Sequence, residues 1–316
     1  MVGYIDEIRE ISEDILKSGK VDMVIGFRKG TIPMMNKPCF IKDLENIKNL
    51  VWDRHCGINL ANYITGRKEK KIGIIAKGCD SRNIANHIIE NKIKREQLYI
   101  IGVPCTKMLD RHKIAASFKD EILEVIEEGM DIIVKGKDDK KVLQRGDVIQ
   151  SNCITCPHPN PVLYDKLVGH KVKLLNIKDD YDDVAKIEAM TSDQRWDYFD
   201  ELLSTCIRCY SCREACPLCY CPTCFVDESR PQWVGKSIDK VDTKTFHFLR
   251  AFHCAGRCTD CGACERACPM GIKVRKFTRK LNKDCLDLYG WEAGLNMDER
   301  PPLDTFRPDD SDDFTK

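Results

Sequence analysis

Residues 71–105 read KIGIIAKGCDSRNIANHIIENKIKREQLYIIGVPC, and this stretch decides the class of fold. KIGIIAKG is an apolar run ending in glycine, the pattern of a buried strand. DSRNIANHIIENK has helical spacing and opens with Asp80 and Ser81, both good helix caps. LYIIGVPC is a second apolar run. Strand, helix and strand on short links predict an α/β fold around a doubly wound, mostly parallel sheet.

The pattern extends in both directions. Ile5, Ile8, Ile11, Ile15 and Leu16 share one helical face, and VDMVIGF reads as a buried strand. Helices are expected over DLENIKNLVWD and CGINLANYITG. DIIVKGKDDKKVLQRGDVI predicts two short strands around a charged turn, and KVKLLNI a further strand. From DVAKIEAMTSDQRWDYFDELLSTC onward the pattern is helical and polar, with Trp196, Phe199 and Leu203 on one face. The chain therefore divides into an α/β domain over 1–185 and a cysteine-rich helical domain over 186–297. The acidic, proline-containing tail over 298–316 reads as an extended arm, either solvated or docked on a partner subunit.

A length of 316 residues leaves room for two cores. Lys plus Arg number 51 against 50 Asp plus Glu, so no strong field points to nucleic acid or an anionic membrane. Proteins and small molecules are the expected partners. MVGYIDEIREISEDILKSGK lacks the basic start and apolar stretch of a signal peptide. No apolar run approaches the roughly 20 residues of a spanning helix. The expectation is a soluble, cytoplasmic protein without membrane insertion.

Nineteen cysteines in such a chain point to metal rather than disulfides, because thiols stay reduced in the cytosol. CIRCYSCREACP, starting at Cys206, has the spacing CxxCxxCxxxCP, and CTDCGACERACP repeats it from Cys258, proline included. Three thiolates at that spacing hold three corners of a 4Fe-4S cube, and the fourth reaches the cube of the other repeat. The spacing thus predicts one cluster on Cys206, Cys209, Cys212 and Cys268, and a second on Cys258, Cys261, Cys264 and Cys216. A zinc site would leave the third cysteine and the Cys-Pro of each motif without a purpose. DTKTFHFLRAFHCAGRC, between the motifs, is helical in spacing, so an α-helical ferredoxin-like dicluster arrangement is expected.

Arg208, Arg213, Arg250, Arg257 and Arg266 lie near these motifs. They are either solvated surface charges or cations that raise a cluster's potential. Cys219, Cys221, Cys224 and Cys254 are numerous enough for a fourth cluster but have no standard spacing, and buried unligated thiols are the alternative. Cys39 and Cys285 are isolated.

In the first half, Cys79, Cys105, Cys153 and Cys156 are candidate ligands of a third 4Fe-4S cluster, with Cys56 as the substitute. They follow strand ends or lie in Gly/Pro loops, where a sheet edge can gather them. The Cys153–Cys156 pair alone also suits a zinc half-site or a redox disulfide. No GxGxxG or Walker loop is present. At AKGCDSRN, where a strand gives way to a helix, Lys77, Gly78, Asp80, Ser81 and Arg82 are candidates to hold a cofactor phosphate or a cluster-bound anion. An ordinary strand-to-helix turn reads the same way.

IIGVPCTKMLDR followed by SNCITCPHPNPVLYDKLVG resembles the GxPC and CxxC segments of the coenzyme F-420 hydrogenase and formate dehydrogenase beta subunit family. CIRCYSCREACPLCYC to CTDCGACERACPMGI looks like the dicluster modules of hydrogenase electron-transfer subunits, heterodisulfide reductase partners and the anaerobic sulfite reductase A subunit. The resemblance implies a subunit of an anaerobic oxidoreductase complex, passing electrons between a hydride donor or catalytic partner and other redox subunits. It implies FAD and an iron-sulfur cluster in the α/β domain. F-420, NAD(P)H, ferredoxin and a partner's catalytic centre all stand as donors, since in known F-420-linked subunits the ferredoxin motifs commonly precede the flavin domain and here they follow it. The rival readings are a flavin-free adaptor wiring two partner subunits, an electron-transfer subunit of the anaerobic sulfite reductase type and a zinc-stapled interaction module.

Overall fold

The structure, a computed structural model, describes residues 3–67, 69–173 and 181–304. Strands β1 (Met23–Arg28), β2 (Lys37–Ile41), β3 (Ile72–Ala76), β4 (Leu98–Gly102) and β8 (Lys166–Leu167) form one sheet in the order β2-β1-β3-β4-β8. β1 pairs with β3, β3 with β4 and β4 with β8 in parallel, while β1 and β2 are antiparallel. The fold is mixed α/β with a parallel-rich sheet. Every residue of β3 is buried, as a strand covered on both faces requires. Helix α1 (Tyr4–Lys17) seats Ile8, Ile11 and Ile15 against it. A Cβ at Gly73 would lie 2.9 Å from the Ile15 side chain, so only glycine permits this approach.

Several local expectations are corrected. DLENIKNLVWD and CGINLANYITG form single 3-10 segments, Leu44–Asn49 and Leu60–Tyr63. Each ends where a large apolar residue, Leu50 or Ile64, is drawn completely into the core. Leu50 leaves its turn in extended backbone, and side-chain burial overrides helix propensity. β2 was not foreseen, because Pro38 disguises it; as an edge strand it tolerates the missing donor. Of KVKLLNI, residues 171–173 carry no strand and 174–177 lie outside the described residues. The sheet closes instead on the two residues of β8.

The charged hairpin is present as β6 (Asp131–Lys135) and β7 (Lys140–Gln144), joined by β5 (Glu124–Glu128) in an antiparallel three-stranded sheet. Helix α3 (Arg111–Ala116) contributes Ile114 to its small core, beside Ile132 and Val134.

Helix α2 (Gly78–Ile89) begins two residues before the expected caps. Asp80 lies inside the first turn, and its carboxylate accepts from the Lys77 backbone N–H at 2.9 Å. Almost the whole helix is buried, including Asn83, Asn86 and His87. The helical half covers its polar face. Asn83 donates to Thr259 Oγ1 at 2.8 Å, Asn86 to the Arg257 carbonyl at 2.7 Å, and Arg82 Nε to the Ala293 carbonyl at 2.9 Å.

Helix α4 (Ser151–Ile154) carries Cys153 in the first half; the helical half comprises α5 (Asp182–Glu188), α6 (Ser192–Leu203), α7 (Ser211–Glu214), α8 (Lys240–His253), α9 (Ala263–Ala267) and α10 (Arg275–Tyr289). Residue 185 falls within α5, whose Asp183 binds Lys276 and Arg279 of α10. Phe246, Phe277, Ile272 and Val274 form the core. Trp196, expected on the apolar face of α6, is 58% exposed beneath the Lys244 ammonium. Of the acidic tail, Arg300 donates to the Ile89 carbonyl at the end of α2, and residues 305–316 lie outside the described residues. Among the described residues no helix is long and apolar enough to cross a membrane.

Candidate metal centres

The two cysteine motifs fold as copies of one loop. Arg208 and Tyr210 in the first have φ of 50° and 60°, and Asp260 and Gly262 in the second have 53° and 70°. Tyr210 then caps α7, and Gly262 caps α9. Left-handed residues at alternate positions turn the chain back on itself, which gathers side chains two and three residues apart around one point. For Arg208, Tyr210 and Asp260 this conformation is costly, and it is held by specific bonds. Arg208 donates to the carbonyls of Gly235 and Ser237, and Asp260 accepts from Arg275 at 2.7 Å.

Helix α7 packs beside α9, which brings Cys268 near the first motif and Cys216 near the second. Burial, against the lowering pull of Arg250 and with the neighbouring Cys206, Cys268 and Cys209, pushes the Cys212 thiol up to about 11. Cys268 likewise raises Cys206. On the other side, Cys216, Cys258, Cys261 and Cys264 line a single cavity. Burial, helped by Asp260, Cys261 and Cys216, pushes Cys258 up to about 12. Four sulfurs thus converge in each place, three from one motif and the last from the other.

A third gathering lies beyond the carboxyl ends of β3 and β4, where open α/β sheets bind ligands. Cys79, Cys105, Cys153 and Cys156 line a cavity of about 340 Å³ there. Burial raises Cys105 to about 12, reinforced by the neighbouring Cys153. Cys79 is pushed up by burial, then by Asp80, and also by Cys261 of the helical half. Cys261 and Arg266 form part of the cavity wall, so the third set abuts the second. Lys77, Arg82, Lys107, Arg145, Lys173 and Arg266 line the cavity against one carboxylate, Asp260.

Cys56 stands apart. It lies in the sheet core at 0% exposure, and its sulfur accepts from Asn36 and from the Asp53 backbone, both at 3.4 Å. Of the residues expected to hold a cofactor anion, Lys77 and Arg82 reach the cavity. Lys77 is paired with Asp80 at 2.8 Å. Ser81 bonds the Gly78 carbonyl and accepts from Val162 N–H. Gly78 touches the following loop, where a Cβ would lie 2.1 Å from the His158 carbonyl oxygen.

The leftover thiols do not assemble as a set of four. Cys221 is exposed and Cys224 is half-buried, whereas Cys219 and Cys254 place their sulfurs within 4.8 Å of each other and of Cys216. Cys254 sits one helical turn before Cys258, a spacing that marks it as a neighbour of the second set. Sequence reasoning also missed His247, whose Nε2 is 3.4 Å from Cys206 Sγ. Its signal is its position on α8 one turn before Arg250. All nineteen cysteines are free. Free thiols gathered in sets of four, most of them buried or half-buried, suit soft metal ions that displace their protons.

No family model matches the chain. A curated relative, the F420-dependent formate dehydrogenase subunit beta of Methanocaldococcus jannaschii, is 23% identical over 92% of this chain and 91% of its own length. The F420-dependent formate dehydrogenase 1 subunit beta of Methanococcus maripaludis is 25% identical over 91% of this chain and 90% of its own. Among solved structures, a chain of the F420-reducing NiFe hydrogenase complex from Methanosarcina barkeri aligns with a TM-score of 0.37 and 11% identity, over 48% of this chain and 58% of that one. The relatives carry the family name that the cysteine motifs suggested, and over about nine-tenths of its length the chain is similar to the beta subunits of F420-dependent formate dehydrogenases.

Proposed function

We propose that this chain is the electron-transfer subunit of an anaerobic oxidoreductase complex of the formate dehydrogenase type, relaying electrons between a hydride carrier and partner subunits. One observation supports the reading above the others: the three sets of four thiols are contiguous in space. Cys79 neighbours Cys261, and the second set shares the α7–α9 contact with the first. The chain thereby offers a row of three 4Fe-4S sites, on Cys79, Cys105, Cys153 and Cys156, then Cys216, Cys258, Cys261 and Cys264, then Cys206, Cys209, Cys212 and Cys268. Such clusters carry electrons singly.

The cavity at the head of this row is the place for the hydride end. The cations in its wall outnumber its one carboxylate, which suits a phosphate-bearing cofactor such as FAD, and the relatives are named F420-dependent. FAD held there would take up a hydride and release it as a proton to solvent and two single electrons, the chemistry the cluster sites lack. Arg82, Lys107 and Arg266 would face its anionic groups, since Lys77 is already paired with Asp80, and the wall of Cys105, Cys153 and Cys156 keeps the third cluster site beside it.

The test is anaerobic purification of the full chain, with iron, sulfide and flavin counts and reduction by reduced F-420 or NADH. About twelve iron atoms per chain are expected for three cubane clusters. Flavin-free protein that no hydride donor reduces overturns the hydride end and leaves the adaptor. Cys268→Ser should disturb the resonance signal of the site on Cys206, Cys209 and Cys212; disturbance of the other site alone refutes the exchange of fourth ligands.

A further inference from the structure

Five arginines lie near the two C-terminal motifs, and the structure separates their roles. Arg213 pairs with Glu214 and Asp227, Arg257 with Glu90, and Arg208 with carbonyls and, at 3.8 Å, Asp242. Arg266 bonds Gln150 and the Cys261 carbonyl in the wall of the open cavity. Arg250, on α8, differs from all of them. It is 4% exposed, its Nη2 donates to the Cys212 carbonyl at 3.0 Å, and its Nε is buried without a partner. It also lines the cavity of Cys216, Cys258, Cys261 and Cys264. Its guanidinium thus donates to the backbone of a cysteine in one set while its residue lines the cavity of the other.

A guanidinium cannot shed its proton in a protein, and burying it without a counter-charge is expensive. No described carboxylate pairs with Arg250; the groups that act on its charge are sulfurs from both sets, Cys216, Cys264 and Cys212, and Cys254 beside Cys216. We propose that Arg250 is the counter-ion shared by the two C-terminal clusters, and that it holds up the reduction potential of both. The inference rests on the cluster assignment made above. Each reduction adds one electron to a cluster whose thiolate-bound core is already negative. No bond forms or breaks, and because Arg250 stays protonated throughout, no proton need accompany the electron. A fixed positive charge between the sites favours the reduced state of each.

The experiment is a potentiometric titration, followed by electron paramagnetic resonance, of the anaerobically purified full chain carrying Arg250→Met or Arg250→Lys. R250M should lower both C-terminal midpoints by a tenfold or greater change in the reduction equilibrium, ~59 mV for each tenfold in a one-electron couple. The midpoint of the N-terminal cluster should not move, and R250K should recover most of the shift. R250M with full iron and sulfide and unmoved midpoints, or with only one moved, overturns the proposal. Iron loss in R250M that R250K restores supports the same role for the charge, and loss that R250K fails to restore refutes it. Wild-type protein without iron and sulfide would sink the cluster assignment instead, a separate result.

Discussion

Replacing Asp80 by asparagine should be among the most damaging single changes available in the α/β half. Asp80 and Lys77 are 0% and 1% exposed, with Nζ and Oδ2 2.8 Å apart. The carboxylate also accepts from the backbone N–H groups of Leu60 at 3.1 Å and Lys77 at 2.9 Å. The ammonium has less support, namely the Ile58 carbonyl at 3.1 Å and the ring faces of Phe27 and Trp52 at 5.1 and 5.7 Å. Burial works against its charge, and Asp80 first, with Cys79 and Cys105, more than offsets burial. Asp80→Asn keeps the shape but strands the cation, a loss of ~3–5 kcal/mol. Lys77→Met strands a carboxylate that retains two backbone donors, so its cost is smaller. The double variant K77M/D80N removes both charges and should be more stable than D80N alone. Urea denaturation of the holoprotein under anaerobic conditions, followed by far-ultraviolet circular dichroism, reads all three. With a slope on the order of 3 kcal/mol per molar, D80N should lower the midpoint by roughly 1 M or more. A D80N midpoint equal to wild type, or a double variant as unstable as the two singles summed, refutes the reasoning.

Phe246 is 1% exposed and packs edge-on to Tyr210 and His247 at centroid distances of 5.0 and 4.8 Å, so Phe246→Ala should cost ~3–5 kcal/mol in the same urea assay. Gly78→Ala would drive a Cβ into the His158 backbone, so it should lose about 1–3 kcal/mol and lower the iron content of the N-terminal site through displacement of Cys156. Burial raises the Asp183 carboxyl, but its bonds to Arg279 and Lys276 prevail and hold it down at about 2. Its folded-state value lies below the unfolded value of about 3.9, so its stabilisation is complete above that value and fades as pH falls toward 2. The difference in Tm between wild type and Asp183→Asn should therefore stay constant from pH 8 to 5 and shrink below pH 4; a difference that grows on acidification would contradict this.

Read from local pattern alone, KIGIIAKG and LYIIGVPC are strands and the Cys-Pro motifs are a repeat, because a buried strand must be apolar at every position and a repeated ligand loop must repeat its spacing. The amino-acid order also placed the helix between those strands, missing its start by two residues because Asp80 resembles a cap from either position. Only the tertiary structure decided that Asn83 and Asn86 are buried, since their partners, Thr259 and the Arg257 carbonyl, lie more than 170 residues away. The same holds for Cys56, sunk in the sheet core while four other thiols meet at its edge, and for Cys254, drawn beside Cys216. Arg250 is the sharpest case. Nothing in its neighbours along the chain separates it from four other arginines, because whether a cation is solvated, paired or left facing sulfur depends on what the fold brings against it.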